Sequence, residues 1–374
     1  MLNIGIIGYG SRIRNVFYKV KENFPECKLV AIADIRNEEI RSKYDGLEEV
    51  RFYDTFEDMH ANEKLDGIMI GTRCSLHTTM ARKVLPTGIP LFLEKPVSTT
   101  MEDYLLLQES AASAKSEVVV SFPMRLSRIV KLAKEIIDSG KIGSVEHVAA
   151  QNYPEYGGVY FHNWYRDEQE TGGLFLQKAT HDFDYINYLV GQKPVSVVAM
   201  TSKQIFKGTK PAGLRCVDCA ENQTCEESTV HLKGIRRETW AYCAFAEDTG
   251  NEDSGSALIR YENGMHVSYT QNFYSRKKSS FRGARFTGYK GTLELDFHGS
   301  QIKVYMHHTP RVETYDIEMG NDHFGGDTEL VKNFVKVMKG EGRSVSTLED
   351  GLLSALMCLK AKQSAETGML QSIE

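Results

Sequence analysis

The chain has 374 residues, long for a single hydrophobic core, so two domains are expected. Hydrophobic residues make up 41% and charged residues 25%, a globular composition, and a formal net charge of −5 gives no basic field for a phosphate backbone, which argues against a nucleic-acid partner. No apolar run approaches the roughly 20 residues that span a bilayer, and Met1-Leu2-Asn3-Ile4-Gly5 enters structure without a basic leader; no membrane partner, a cytoplasmic location and seven reduced cysteines are therefore expected.

The first third alternates short apolar runs with amphipathic stretches. Strands are expected at Asn3–Ile7, Lys28–Ala33, Gly67–Ile70, Leu91–Leu93 and Val118–Ser121, whose continuous apolar character suits parallel strands buried on both faces. Helices are expected between them at Arg12–Asn23, Glu38–Tyr44, His77–Leu85 and Met101–Ala114, and this alternation makes a doubly wound α/β sheet. After about Pro123 the pattern changes. A helix at Ile129–Ser139 stops at Gly140, and β-rich stretches follow at Val145–Gln151, Val195–Thr201, Ala257–Tyr261, Met265–Asn272, Thr292–Phe297 and Gln301–Tyr305. Asn263-Gly264 reads as a hairpin turn, because both residues tolerate positive φ. Helices near Thr328–Met338 and Leu348–Ala365 close the chain. Residues 1–122 are thus expected to form a doubly wound α/β domain and 123–374 a second α/β domain with a mostly antiparallel sheet, the C-terminal helix returning to pack on the first.

The first strand runs into Gly8-Tyr9-Gly10-Ser11-Arg12-Ile13. In a dinucleotide fold the first glycine makes the tight turn, the second admits the pyrophosphate to the helix N-terminus, and a third lets helix and strand pack closely. Ile13 stands in that third place, so the fingerprint is incomplete. The second strand leads to Asp34, 24 residues after Gly10, where a carboxylate can accept the ribose hydroxyls. That charge would repel a 2′-phosphate and favours NAD; Arg36, two residues on, softens the preference towards NADP. The plainer readings are a structural turn at the glycines and a helix N-cap at Asp34.

At Glu94-Lys95-Pro96 the sequence resembles the glucose–fructose oxidoreductase / inositol dehydrogenase / rhizopine-catabolism (Gfo/Idh/MocA) oxidoreductase family. The resemblance covers nearly the whole chain: Gly8–Gly10, Asp66-Gly67-Ile68-Met69-Ile70-Gly71-Thr72 with His77, Glu94-Lys95-Pro96, Arg125, Gly140-Lys141-Ile142-Gly143, Gly172-Gly173 with His181 and Asp184, and His323 through Gly325-Gly326-Asp327. It implies that residues 1–122 are an NAD(P)-binding Rossmann domain and 123–374 an α/β domain whose large, mostly antiparallel open sheet carries substrate on one face and often subunit contacts on the other, hence a homo-oligomer, dimer or tetramer. The implied chemistry is reversible hydride transfer between nicotinamide and a sugar or polyol carbon. Cofactor contacts are implied at Gly8, Gly10, Ser11, Arg12, Asp34, Arg36, Thr72, His77, Glu94 and Lys95.

The residue chemistry agrees. Lys95 follows a parallel strand, where doubly wound sheets bind ligands, and its ammonium can polarise a hydroxyl or protonate a carbonyl. His181 can shuttle the hydroxyl proton near neutral pH. Many family members carry an aspartate four residues before that histidine; here Gln177 stands in its place, followed by Lys178. Either Lys95 and His181 suffice, or Lys178 joins them. Asp184 could fix the imidazole or merely cap a helix. Arg125 at the domain junction could clamp substrate or form an ion pair, and Tyr153, His162, Trp164 and Tyr165 could stack on a sugar ring or belong to the core.

Cys216, Cys219, Cys225 and Cys243, spaced C-x2-C-x5-C-x17-C, also fit a structural zinc site as an alternative to ordinary reduced cysteines. Three functional readings follow: an NAD(P)-dependent dehydrogenase of a carbohydrate, a glycosidase that uses bound NAD transiently for oxidation and elimination, and a non-catalytic dinucleotide sensor.

Overall fold

In the computed structural model, which describes residues 1–234, 238–318, 320 and 323–373, two compact units are distinguished, residues 1–128 with 319–356 and residues 129–318 with 357–374. The first unit holds β1 (Leu2–Ile7), β2 (Cys27–Ala33), β3 (Arg51–Tyr53), β4 (Gly67–Ile70), β5 (Leu91–Leu93) and β6 (Val118–Val120). They form one parallel sheet in the order β3-β2-β1-β4-β5-β6. The order reverses between β1 and β4, the switch point outside which such sheets bind ligands. Ile4, Ile6, Ile32, Met69 and Phe92 on the strands bury against Val16 and Val20 of helix Ser11–Asn23 and Phe334 of helix Gly326–Met338. Gly326 is required where it stands: a Cβ there would lie 1.8 Å from the Pro123 carbonyl oxygen.

The second unit contains β7 (Val145–Tyr153), β8 (Pro194–Ser202), β9 (Ser254–Tyr261), β10 (His266–Asn272), β11 (Phe281–Gly288), β12 (Gly291–Asp296), β13 (Gln301–Met306), β14 (Val312–Asp316) and β15 (Gln371–Ser372). These make one nine-stranded sheet, β14-β13-β12-β11-β7-β10-β9-β8-β15, antiparallel except where β10 meets β7. The expected fold class, a Rossmann-type domain plus a mostly antiparallel sheet domain, is what the chain adopts. Helix Leu174–Val190, read from sequence only as a buried run, lies in this unit with 14 of its 17 residues buried. A helix covered on nearly all sides has no polar stripe to betray its period. No helix among the described residues is long and apolar enough to cross a membrane.

Candidate active site

In the first unit the chain leaves β1 at Gly8 with φ +76°, and a Cβ there would meet Thr72 at 2.6–2.8 Å, so this turn against Thr72 admits only glycine. Gly10 caps helix Ser11–Asn23, whose first turn has no side-chain cap, leaving its N–H groups to a ligand such as a pyrophosphate. The missing third glycine is supplied from elsewhere. Gly71, just past β4, faces Ile13, and a Cβ at Gly71 would fall 2.2 Å from the Ile13 Cβ. Close helix–sheet packing is thus achieved with the small residue on the neighbouring strand end.

Asp34 stands just past β2. Its Oδ2 accepts from the Tyr9 amide at 2.8 Å, inside the glycine turn, and its Oδ1 accepts from the Arg36 amide at 2.9 Å. The Arg36 guanidinium adds bonds to both oxygens at 3.1–3.2 Å. Burial alone would raise the Asp34 pKa; the bonds from Arg36 and Tyr9 outweigh it and hold the carboxyl below its usual value. The Arg36 side chain is 47% exposed against 4% for Asp34, so the arginine is the movable partner.

Arg12 does not leave its guanidinium to a ligand. Nε donates to Glu94 at 3.0 Å, and Nη1 and Nη2 donate to Asp327 at 3.0 and 2.6 Å. Asp327 is buried, which would raise its pKa, yet the bonds from His323 and Arg12 hold it well below the usual carboxylate range. The same network takes in Ser121, whose hydroxyl donates to Glu94. Glu94 is therefore fixed, and with it the start of the segment carrying half-buried Lys95. The far side is fixed by the His77 ring, whose Nδ1 lies 2.7 Å from the Pro96 carbonyl oxygen, and by Thr78, which donates to the Val97 carbonyl at 3.0 Å. A carbonyl can only accept, so Nδ1 carries the proton; burial lowers the His77 pKa and keeps the ring neutral. Arg125, buried, donates to Asp350 at 2.9 Å and to the Val345 carbonyl, an ion pair within this unit. Thr72 sits against Gly8 with its hydroxyl bonded to the Arg73 carbonyl at 3.1 Å.

In the second unit helix Leu174–Val190 starts at Gly173, φ +104°, with the Glu252 carboxylate accepting from the Phe175 amide. The helix brings Gln177, Lys178, His181 and Asp184 into one element, all of them buried. Gln177 donates to the Thr171 carbonyl at 2.7 Å. Lys178 Nζ donates to the Tyr156 hydroxyl at 2.7 Å. Asp182 is tied to three strands: it accepts from Asn152 of β7 at 2.6 Å, Tyr269 of β10 at 2.9 Å, and Arg282 of β11 at 2.9 and 2.7 Å. Tyr156, Asp182 and Arg282 were not singled out from sequence. Only the Gly157-Gly158 pair beside Tyr156 gave a local signal, since every partner lies 22 or more residues away.

Tyr153 ends β7, and Trp164 stacks on Tyr165 with ring centroids 3.9 Å apart. His162 is not placed as a sugar platform: Nδ1 bonds the Tyr242 carbonyl at 2.7 Å and Nε2 lies 3.8 Å from Glu227. Burial alone would lower its pKa, but the bonds to Cys216, Glu227 and Tyr242 push it up to about 9. Cys216 is the partner; burial raises its thiol, and the bonds from His162 and Thr229 bring it down to about 7.

The zinc alternative finds no support in the structure. All seven cysteines are free thiols, and among the described residues no three His, Cys, Asp or Glu side chains are grouped to hold a metal ion. Cys216 bonds His162, Thr229 and, at 3.5 Å, the Tyr242 carbonyl.

Residues 2–122 match an oxidoreductase family described as an NAD-binding Rossmann fold, and residues 130–294 match the GFO/IDH/MocA C-terminal domain. The chain is 27% identical over 381 residues to YteT of Bacillus subtilis (strain 168), covering 89% of this chain and 88% of that one. It is 28% identical over 260 residues to inositol 2-dehydrogenase of Rhizobium meliloti (strain 1021), covering 68% and 75%. A solved structure of levoglucosan dehydrogenase in complex with NADH and levoglucosan is similar in fold, with TM-score 0.79, 17% identity, and coverage of 100% of this chain and 99% of that one.

Proposed function

As the chain belongs to the Gfo/Idh/MocA oxidoreductase family, whose N-terminal domain is an NAD-binding Rossmann fold, we propose that it transfers a hydride between nicotinamide and the hydroxyl- or keto-bearing carbon of a sugar, polyol or related carbohydrate. The observation that carries this is the Gly8–Gly10 turn at the β1/β4 switch point with the Asp34 carboxylate bonded into it through the Tyr9 amide. Bound there, the dinucleotide supplies the acceptor or donor of the hydride. The backbone of Gly8, Gly10 and Ser11 would hold its pyrophosphate, and Asp34 its ribose hydroxyls once the exposed Arg36 guanidinium turns outward. Lys95 would polarise the substrate oxygen. His181 would orient the hydroxyl or exchange its proton, with Gln177 and Asp184 on the same helix. The first domain, residues 1–122, is proposed to bind cofactor, and residues 123–374 to bind substrate and build the oligomer. The open sheet face supports the latter: Met200 of β8 is 77% and Leu258 of β9 54% exposed, next to Ala149, Ser256 and Ser268. A cytoplasmic homo-oligomer acting with NAD is the reading the residues support best.

The direct test is a screen of inositols, hexoses and simple glycosides with NAD and NADP, read by nicotinamide absorbance. Net NADH formation is expected. Failure to bind any pyridine nucleotide would overturn the reading, and release of an aglycone without net NADH would replace it by oxidation–elimination. For cofactor choice, Asp34→Ala is expected to weaken NAD roughly 10- to 100-fold, the cost of losing charge-assisted hydrogen bonds of about 1.5–3 kcal/mol, and to weaken NADP far less, because Arg36 is then released. Equal losses for both, by fluorescence titration, would remove Asp34 from the ribose site.

A further inference from the structure

Lys178 is only 7% exposed, and a buried ammonium is tolerated only when it is paired or hydrogen-bonded. Its bond is to Tyr156: Nζ donates to Oη at 2.7 Å and lies 4.6 Å from that ring's centroid and 5.2 Å from the ring of Tyr160. Tyr156 itself is 53% exposed. The result is a phenol held from the protein side by a buried cation and open to solvent. An ammonium donating to a phenol oxygen stabilises the phenolate more than the phenol, so it converts a poor base into a usable one. Alongside runs an aromatic wall, with Tyr160 edge-on to Tyr165 at 5.2 Å and Tyr165 stacked on Trp164, a surface suited to the apolar face of a sugar ring. Tyr160 and Arg282, whose charge is balanced by Asp182, also act on this phenol.

We propose that Tyr156 and Lys178 are the proton-exchanging pair of the substrate site, Tyr156 Oη taking the hydroxyl proton of a carbohydrate alcohol while Lys178 holds Oη as the anion. In the oxidation the substrate O–H bond breaks and its proton goes to Oη. The C–H bond breaks with its electron pair passing to oxidised nicotinamide, and the C=O bond forms. The reduction is the reverse, with the neutral phenol protonating the alkoxide. Lys178 keeps its proton throughout. This rests on the hydride-transfer reading above and deepens it: Lys178 joins the chemistry through Tyr156, and His181, 4% exposed on the same helix, is left to orient the substrate.

The test begins with the cofactor-free protein, by ultraviolet difference titration of tyrosine ionisation. One phenol is expected to ionise at least about one pH unit below the ordinary tyrosine value of about 10. That step is expected to vanish in Tyr156→Phe, which keeps the ring, to move up in Lys178→Met, and to be restored in Lys178→Arg. Turnover in Tyr156→Phe is expected to fall on the order of 10²- to 10⁴-fold, the range for loss of a general acid–base group, with dinucleotide affinity unchanged. A titration without an early step, or a Tyr156→Phe protein with wild-type turnover and pH profile, would overturn the pair. Absence of pyridine-nucleotide binding by the wild type would instead defeat the hydride-transfer reading and leave the titration to judge the pair alone.

Discussion

Lys95→Ala is expected to lower turnover on the order of 10²- to 10⁴-fold while dinucleotide affinity stays within about threefold. The reason is that the segment around Lys95 is held by its neighbours. Glu94 is fixed by Arg12 and Ser121, the Pro96 carbonyl by His77 and the Val97 carbonyl by Thr78. Truncating the lysine therefore removes an ammonium while these anchors of the loop stay in place. An effect confined to the transition state lowers kcat and kcat/KM together, whereas loss of plain binding raises KM alone. Single-turnover hydride transfer and a separate dinucleotide titration distinguish the two. Near-wild-type turnover would take Lys95 out of the chemistry, and a parallel collapse of affinity would make it a cofactor anchor.

What the sequence disclosed is what local chemistry encodes. The turn after β1 demands glycine at position 8, and a parallel strand leads to an acid at 34, so both were visible as short patterns. Five of the six parallel strands were visible as mostly apolar runs; β3, Arg51-Phe52-Tyr53, was missed because it is short, with one exposed and two half-buried residues. Other features are non-local. Ile13 breaks the glycine fingerprint, and only the fold shows that Gly71, 58 residues on, compensates. β11 was missed because Phe281-Arg282-Gly283-Ala284-Arg285 sets arginines and a glycine where alternation would be sought; Arg282 is nonetheless buried against Asp182. Strand β14 was missed for the opposite reason: its five residues are half-buried or exposed at the sheet edge, so little hydrophobic pattern is needed. The cysteine spacing left zinc and reduced thiols as alternatives, because ligand spacing is only a necessary condition for zinc. The Lys178–Tyr156 bond joins residues from different elements, and no spacing rule connects them.

Arg282→Met is expected to destabilise the protein by about 3–5 kcal/mol, the usual cost of removing one partner of a buried ion pair. Arg282 and Asp182 are 6% and 1% exposed, and the guanidinium gives Asp182 two of its four hydrogen bonds. Burial opposes the charge on Arg282, and the Asp182 carboxylate more than restores it, so its pKa ends above the ordinary value. With methionine in its place, a carboxylate stays buried with only Asn152 and Tyr269 to satisfy it. The double variant Arg282→Met with Asp182→Leu removes both charges and is expected to regain much of the loss, because the penalty belongs to the unpaired ion and not to the missing attraction. Denaturant midpoints at constant slope read both variants. The consequence reaches the site, since Asp182 follows His181 in the chain and clamps helix Leu174–Val190 to β7, β10 and β11 at once. If Arg282→Met proves as stable as the wild type, the helix is held by its apolar packing alone; if the double variant is no better than the single, the lost contribution was the packing of the arginine stem.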